Sequence, residues 1–174
     1  MRISVVGSGY VGLITSAGFA EKGHRVVCVD IDQDKIDMIN QGKPPIYEKG
    51  LQDILDHVVP DKLKASIDLG ESVLSSDATF ICVGTPSDND GSINLKYVKE
   101  VSAKIGEIIK KKKNYHVIVV KSTIIPGSTE DHVIPVLEEN SGKTAGKDFG
   151  VVMNPEFLRE GVAIEDFMKP DRIV

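Results

Sequence analysis

The stretch Ile3–Asp30, ISVVGSGYVGLITSAGFAEKGHRVVCVD, decides the fold. It opens on the apolar run Ile3–Val6 and turns through Gly7, Gly9 and Gly12 in the spacing G-x-G-x-x-G. Small and apolar residues continue at helical spacing (Val11, Ile14, Thr15, Gly18, Phe19), and Gly23 ends that helix. A second apolar run, Arg25–Val29, stops at Asp30. The order is strand, glycine turn, helix, strand, acid. Gly7 allows a tight exit from the strand, Gly9 lets a pyrophosphate approach the backbone, and Gly12 lets the helix pack closely on the sheet. Free amides and the positive end of the new helix then face the anion. Asp30 follows Gly7 by about twenty residues, the offset of an acid that holds ribose hydroxyls. Glycine turns alone are common; here strand, helix and acid all agree with dinucleotide binding. The Asp30 carboxylate would repel a 2′-phosphate, and Asp32 and Asp34 add negative charge, so the expected cofactor is NAD rather than NADP. Asp30 also suits the N-cap of a helix from Asp32 onward, a compatible role.

The chain has 174 residues, enough for one domain of 1–174 with a substantial core. It is 41% hydrophobic and 27% charged, as expected of a globular protein. A net charge of −5 offers no basic footprint for nucleic acid. No apolar run approaches the ~20 residues that cross a bilayer. The chain runs straight from Met1 into a strand, which leaves no room for a signal peptide and points to the cytoplasm. Cys28 and Cys82 fall inside apolar runs. In a doubly wound sheet their strands flank the first one, about 9–10 Å apart, beyond disulfide reach. Both read as buried structural thiols. The four histidines are scattered, with no partner at metal-ligand spacing, so no metal is expected.

Strands and helices alternate along the rest of the chain. Helices are expected over Asp32–Asn40, Leu51–Val58, Asp68–Leu74, Asn94 to about Lys110 and Ser128–Glu139, with a short helix over Gly161–Phe167. Strands are expected over Leu63–Ser66, Ala78–Val83, His116–Val120 and Phe149–Met153. Near-continuous apolar strands between helices mean an α/β fold: a doubly wound, mostly parallel, Rossmann-like sheet with helices on both faces. Ligands then bind beyond the carboxyl ends of the strands. The run Lys110–Lys113 falls at the end of the long helix, where solvated cations offset the negative terminus.

Three segments stand at those strand ends: Cys82-Val83-Gly84-Thr85-Pro86, Lys121-Ser122-Thr123-Ile124-Ile125-Pro126-Gly127, and Asn154-Pro155-Glu156-Phe157-Leu158-Arg159-Glu160-Gly161. Thr85 and Thr123 taken singly suit loop capping. An acid such as Glu156, just after a buried strand, is partly desolvated and suits proton transfer.

With the opening fingerprint, the segments VVGSGYVGL, VDID, PIYEKGL, CVGTPSDNDGSINL, KSTIIPGS and NPEFLREGVAIEDFMKPDRIV resemble the UDP-glucose 6-dehydrogenase and GDP-mannose dehydrogenase family from Met1 to Val174. The NPEFLREG wording leans toward the UDP-glucose branch over the GDP-mannose branch, and the GDP-mannose and UDP-N-acetylmannosamine branches are the alternatives. The resemblance implies oxidation of a nucleotide sugar's primary alcohol to a carboxylate in two NAD-dependent steps, with a cysteine thioester between. It implies that Gly7, Gly9, Tyr10, Val11 and Gly12 cradle the NAD phosphates, and that Asp30 and Lys35 hold the adenosine ribose region. Thr85 and Thr123 would line the nicotinamide side, Thr123 also placing a catalytic water, and Glu156 would act as acid and base in thioester hydrolysis. Glu156, Phe157, Leu158, Arg159 and Glu160 would meet the nucleotide sugar, with Glu160 also near NAD. Lys49 replaces the proline usual in PIYEPGL.

The family has a second half, with a central dimerising helix and the nucleophilic cysteine, and neither Cys28 nor Cys82 matches that cysteine's motif. The chain therefore reads as the amino-terminal half of a parent expected to be a homodimer, one that binds NAD without completing the reaction. A non-catalytic NAD-binding module is the rival reading. Hydroxyacid dehydrogenases share the fingerprint but not NPEFLREG.

Overall fold

A computed structural model describes residues 1–174. The six strands are β1 (Arg2–Val6), β2 (Arg25–Val29), β3 (Leu63–Ser66), β4 (Ala78–Ile81), β5 (Val117–Val120) and β6 (Gly150–Met153). The helices are α1 (Tyr10–Glu21), α2 (Gln33–Asn40), α3 (Leu51–Val58), α4 (Leu69–Ser75), α5 (Lys96–Ile109), α6 (Ile134–Ser141) and α7 (Ala163–Met168). The strand order is β3-β2-β1-β4-β5-β6, every pair parallel. The order reverses between β1 and β4, which fixes the ligand crevice at their carboxyl ends. This is the doubly wound Rossmann-like sheet that the alternating pattern predicts.

Both faces are covered, as near-continuous apolar strands require. On one face Val5, Leu13, Ile14, Ile36, Leu51 and Leu55 form a core under α1, α2, α3 and α7. On the other, Ile81, Ile105, Ile118, Val120, Leu137 and Phe149 form a core under α4, α5 and α6. Each fully buried side chain of this size contributes about 1.5–3 kcal/mol relative to exposure. Gly18 sits mid-helix in α1 because Phe167 of α7 lies against it; a Cβ there would come within 2.2 Å of the ring. Phe167 and Phe19 pack edge to face at 5.3 Å.

Two expectations need correction. The helix expected over Ser128–Glu139 starts as a π-turn, Thr129–Val133, before α6. Pro135 has no amide, and its ring crowds the carbonyl four residues back; the backbone widens so that the Ile134 amide bonds Thr129 O, five residues back. The run Lys110–Lys113 is not simply a solvated end. Lys111 and Lys113 are exposed, but Lys112 reaches across to α4, where its Nζ donates to Val73 O at 2.7 Å, Leu74 O at 3.3 Å and Ser76 O at 2.5 Å. Burial holds its pKa below the usual lysine value.

His116 precedes β5 and is buried, its Nε2 2.8 Å from Thr79 Oγ1. Ser4, Ser76 and Thr79 continue this polar chain under the sheet. Burial, with the Lys112 charge nearby, pushes the imidazole down to about 4. Between that value and the ordinary ~6.5, the unfolded chain binds a proton that the folded one refuses. Stability is therefore expected to rise with pH across this window. Thermal melts from pH 4.5 to 7 check it: the slope flattens in His116→Asn and persists if His116 is not its source.

Candidate functional site

The site is built where β1 runs into α1. Gly7 has φ +102°, a conformation open to glycine, and a Cβ there would come within 2.6 Å of Cys82 O. A Cβ on Gly12 would lie 1.8 Å from Gly7 O and 3.2 Å from the Cys82 Cβ. The turn is thus wedged between the first helix and the end of β4. Gly9, the N-cap of α1, is exposed, has no side chain to bond the first-turn amides, and a Cβ on it would meet nothing within 4 Å. The backbone of Gly9, Tyr10 and Val11 is therefore open to an approaching anion.

Asp30 stands across the crevice at the end of β2. Its Oδ2 accepts from the Ser8 amide and the Ser8 hydroxyl, both at 2.6 Å, and its Oδ1 accepts from the amides of Ile31 and Asp32 at 2.8 and 3.0 Å. Burial alone would raise its pKa, but these donors and the Lys35 charge more than offset that, and the carboxyl is held below its ordinary value. It is an ionised acceptor at neutral pH. The N-cap of α2 is Asp32, which accepts from the amides of Asp34 and Lys35, so the capping role that Asp30 also suited falls to Asp32. Lys35 is half-buried beside it, 3.9 Å from Asp32.

The other candidates follow neighbouring strands. Val120 of β5 pairs with Met153 of β6, so Thr123 and Glu156 each follow, by three residues, the carboxyl ends of adjacent strands. Thr123 is exposed and Glu156 half-buried, with its Oε2 accepting from the Leu158 amide at 2.5 Å. Thr85 is half-buried past the end of β4, the strand next to β5. A cleft of about 660 Å³ opens here, lined by Lys121, Asn154, Glu156, Phe157, Arg159 and Arg172 among others. Phe157 and Glu160 are exposed and Leu158 is half-buried. The Arg159 guanidinium pairs with Asp166, another residue of this cleft, 2.7 Å from its Oδ1, while Arg172 lies 4.4 Å over the Phe157 ring.

Three residues escaped the sequence reading. Ser8 occupies a variable place in the glycine turn yet ties it to Asp30. Lys121 is buried at the end of β5, with its Nζ 3.2 Å from Asn154 Oδ1; burial holds its pKa below the lysine value. Glu48 is 4% exposed inside the PIYEKGL loop. Nothing local marked it, since it stands between Tyr47 and Lys49 and its partners are far off in sequence. Tyr10 departs from a simple phosphate role: its hydroxyl donates to Glu48 Oε2 at 2.5 Å, so only its backbone faces the crevice. Both cysteines are buried and unpaired, and burial pushes each thiol up to about 12. No group of three or more His, Cys, Asp or Glu side chains could hold a metal ion, and no helix is long and apolar enough to cross a membrane.

Known proteins resemble this chain in sequence and fold. The chain is 47% identical over its whole length to UDP-glucose 6-dehydrogenase AglM of Haloferax volcanii, of which it covers 40%. It is 46% identical over 175 aligned residues to GDP-mannose 6-dehydrogenase of Pseudomonas putida, again covering 40%. A solved ternary complex of GDP-mannose dehydrogenase from Pseudomonas aeruginosa superposes with a TM-score of 0.97 at 46% identity, over 99% of this chain and 40% of that one. UDP-glucose dehydrogenase of Pyrobaculum islandicum superposes with a TM-score of 0.92 at 45% identity, over 98% of this chain and 39% of that one. The chain thus spans about two-fifths of the length of the relatives it matches, and relatives acting on either sugar are equally similar. The description of the UDP-glucose/GDP-mannose dehydrogenase family, NAD binding domain, matches residues 1–174. With its glycine turn, its ionised Asp30 and its six parallel strands, the chain belongs to the UDP-glucose/GDP-mannose dehydrogenase family as an NAD-binding domain.

Proposed function

We propose that the chain is the NAD-binding part of a nucleotide-sugar 6-dehydrogenase, with UDP-glucose as the substrate favoured by the NPEFLREG segment. The observation that carries the cofactor half is the pairing of a bare helix start at Gly9 with an ionised Asp30 across the crevice. NAD, when bound, supplies the hydride acceptor. Amides of Gly9, Tyr10, Val11 and Gly12 bind its pyrophosphate, with Gly7 shaping the turn. Asp30 accepts from the ribose hydroxyls, Lys35 steadies that end, and Thr85, Thr123 and Glu160 bound the nicotinamide side. Thr123 orients a water beyond the end of β5, and Glu156, which follows the neighbouring β6, takes that water's proton. Phe157, Leu158, Arg159 and Glu160 meet the nucleotide sugar, with the Arg159 guanidinium and amide both held by Asp166. With both of this chain's thiols buried and protonated, the covalent nucleophile must come from elsewhere in the parent protein.

Asp30→Ala removes a charged hydrogen-bonding partner and is expected to weaken NAD binding by roughly 1.5–3 kcal/mol. Calorimetry of the two chains checks this, and equal affinities would sink the Asp30 assignment. The sugar is decided by assaying the full-length parent with UDP-glucose, GDP-mannose and UDP-N-acetylmannosamine. NADH formation with UDP-glucose at the highest kcat/KM is the expected result.

A further inference from the structure

The buried carboxylate of Glu48 joins three distant parts of the chain. It lies in the loop between α2 and α3. It accepts from the Tyr10 hydroxyl at 2.5 Å, the Gly161 amide at 2.8 Å and the Ala163 amide at 3.1 Å. Tyr10 is the first residue of α1, and Ala163 the first of α7. Burial alone would raise the Glu48 pKa; the Tyr10 hydroxyl and these amides more than offset that, so the carboxylate stays ionised. Burial, with the Glu48 charge beside it, in turn pushes the Tyr10 phenol up to about 12, so the phenol remains a donor. Gly161 has φ +91°, so the carboxylate fixes the turn at which the segment 156–160 ends. That segment is anchored at its other end by β6.

We propose that Glu48 is a positioning residue that couples the cofactor crevice to the loop after β6. The inference rests on the reading that NAD's pyrophosphate sits on the amides at the start of α1. Tyr10 carries one of those amides on its backbone and a Glu48 bond on its side chain. A pyrophosphate that draws in the first turn of α1 therefore steadies the Tyr10 hydroxyl on Glu48, and Glu48 steadies Gly161 and Ala163. Ordering at the first site lowers the cost of ordering the second. Because coupling is reciprocal, a nucleotide sugar held by the segment 156–160 tightens NAD by the same factor.

The test is amide hydrogen exchange by NMR at Gly161 and Ala163, without NAD and at NAD saturation fixed by calorimetry, with Ala20 of α1 as a structural reference. In the wild-type chain NAD is expected to slow exchange at both amides about tenfold more than at Ala20. In Tyr10→Phe, which keeps the ring and Glu48, that extra slowing is lost, while exchange without NAD changes less than threefold. In Glu48→Gln the two amides exchange at least tenfold faster even without NAD. Extra slowing that survives in Tyr10→Phe, or that never occurs in a wild-type chain shown to bind NAD, overturns the coupling. Calorimetry showing no NAD binding overturns the cofactor reading instead, and the coupling with it, while the Glu48→Gln rates still report whether the carboxylate holds the loop.

Discussion

Gly12→Ala is expected to abolish measurable NAD binding and to destabilise the chain by about 3 kcal/mol or more. The added methyl would lie 1.8 Å from Gly7 O and 2.9 Å from Gly7 C, both backbone atoms. A flexible side chain can swing aside from such a contact, but a carbonyl in the turn cannot. Overpacking of a well-filled site costs about 1–3 kcal/mol where neighbours can yield, and here they are backbone on one side and the buried Cys82 on the other. Relief requires α1 to move away from the turn, which displaces the amides that face the pyrophosphate. Gly9→Ala is the informative contrast, because its methyl meets no protein atom within 4 Å. It is expected to leave the melting temperature nearly unchanged while weakening NAD through contact with the cofactor itself. Thermal melts and calorimetry on both variants separate the two effects. A Gly12→Ala chain that binds NAD normally would refute the packing described for the turn.

Lys112→Met should cost about 1.5–3 kcal/mol of stability, whereas Lys111→Ala and Lys113→Ala should stay within ~0.5 kcal/mol. α4 is only seven residues long, and of the carbonyls at its end Val73 O has the cap amide of Ser76 as a backbone partner. The Lys112 ammonium takes up three carbonyls at that end. Lys143 does the same for Ile109 O and Lys112 O at the end of α5, at 2.7 and 2.6 Å. Methionine keeps most of the stem's packing but leaves the acceptors without a charged donor. Denaturant titration of the three variants checks the ranking. A neutral Lys112→Met would return this run to the solvated role its composition suggests.

These residues also mark what the sequence could tell. Apolar runs interrupted by helical periods specify a parallel sheet almost by themselves, because only a sheet covered on both faces buries residues such as Val5, Ile81 and Val120. The glycine turn was legible for the same reason: each glycine answers a local demand of the chain. Asp30 was legible because a fixed offset places it. The interactions of Lys112 and Glu48 were not. Their partners lie tens of residues away or more, and nothing in the spacing of KKKK or PIYEKGL distinguishes one charged residue from its neighbours. The π-turn before α6 depends on Pro135, whose position inside a helical pattern was a warning that periodicity alone overrides. Arg159 shows a further limit, since a motif names the residue but not which carboxylate claims its side chain.

A crystal structure of the chain soaked with NAD decides whether the glycine turn and Asp30 hold the cofactor. Pyrophosphate density is expected over the backbone of Gly9, Tyr10 and Val11, with the adenosine ribose hydroxyls on Asp30. Cofactor density that avoids both Gly9 and Asp30, or that occupies another face of the sheet, would contradict it.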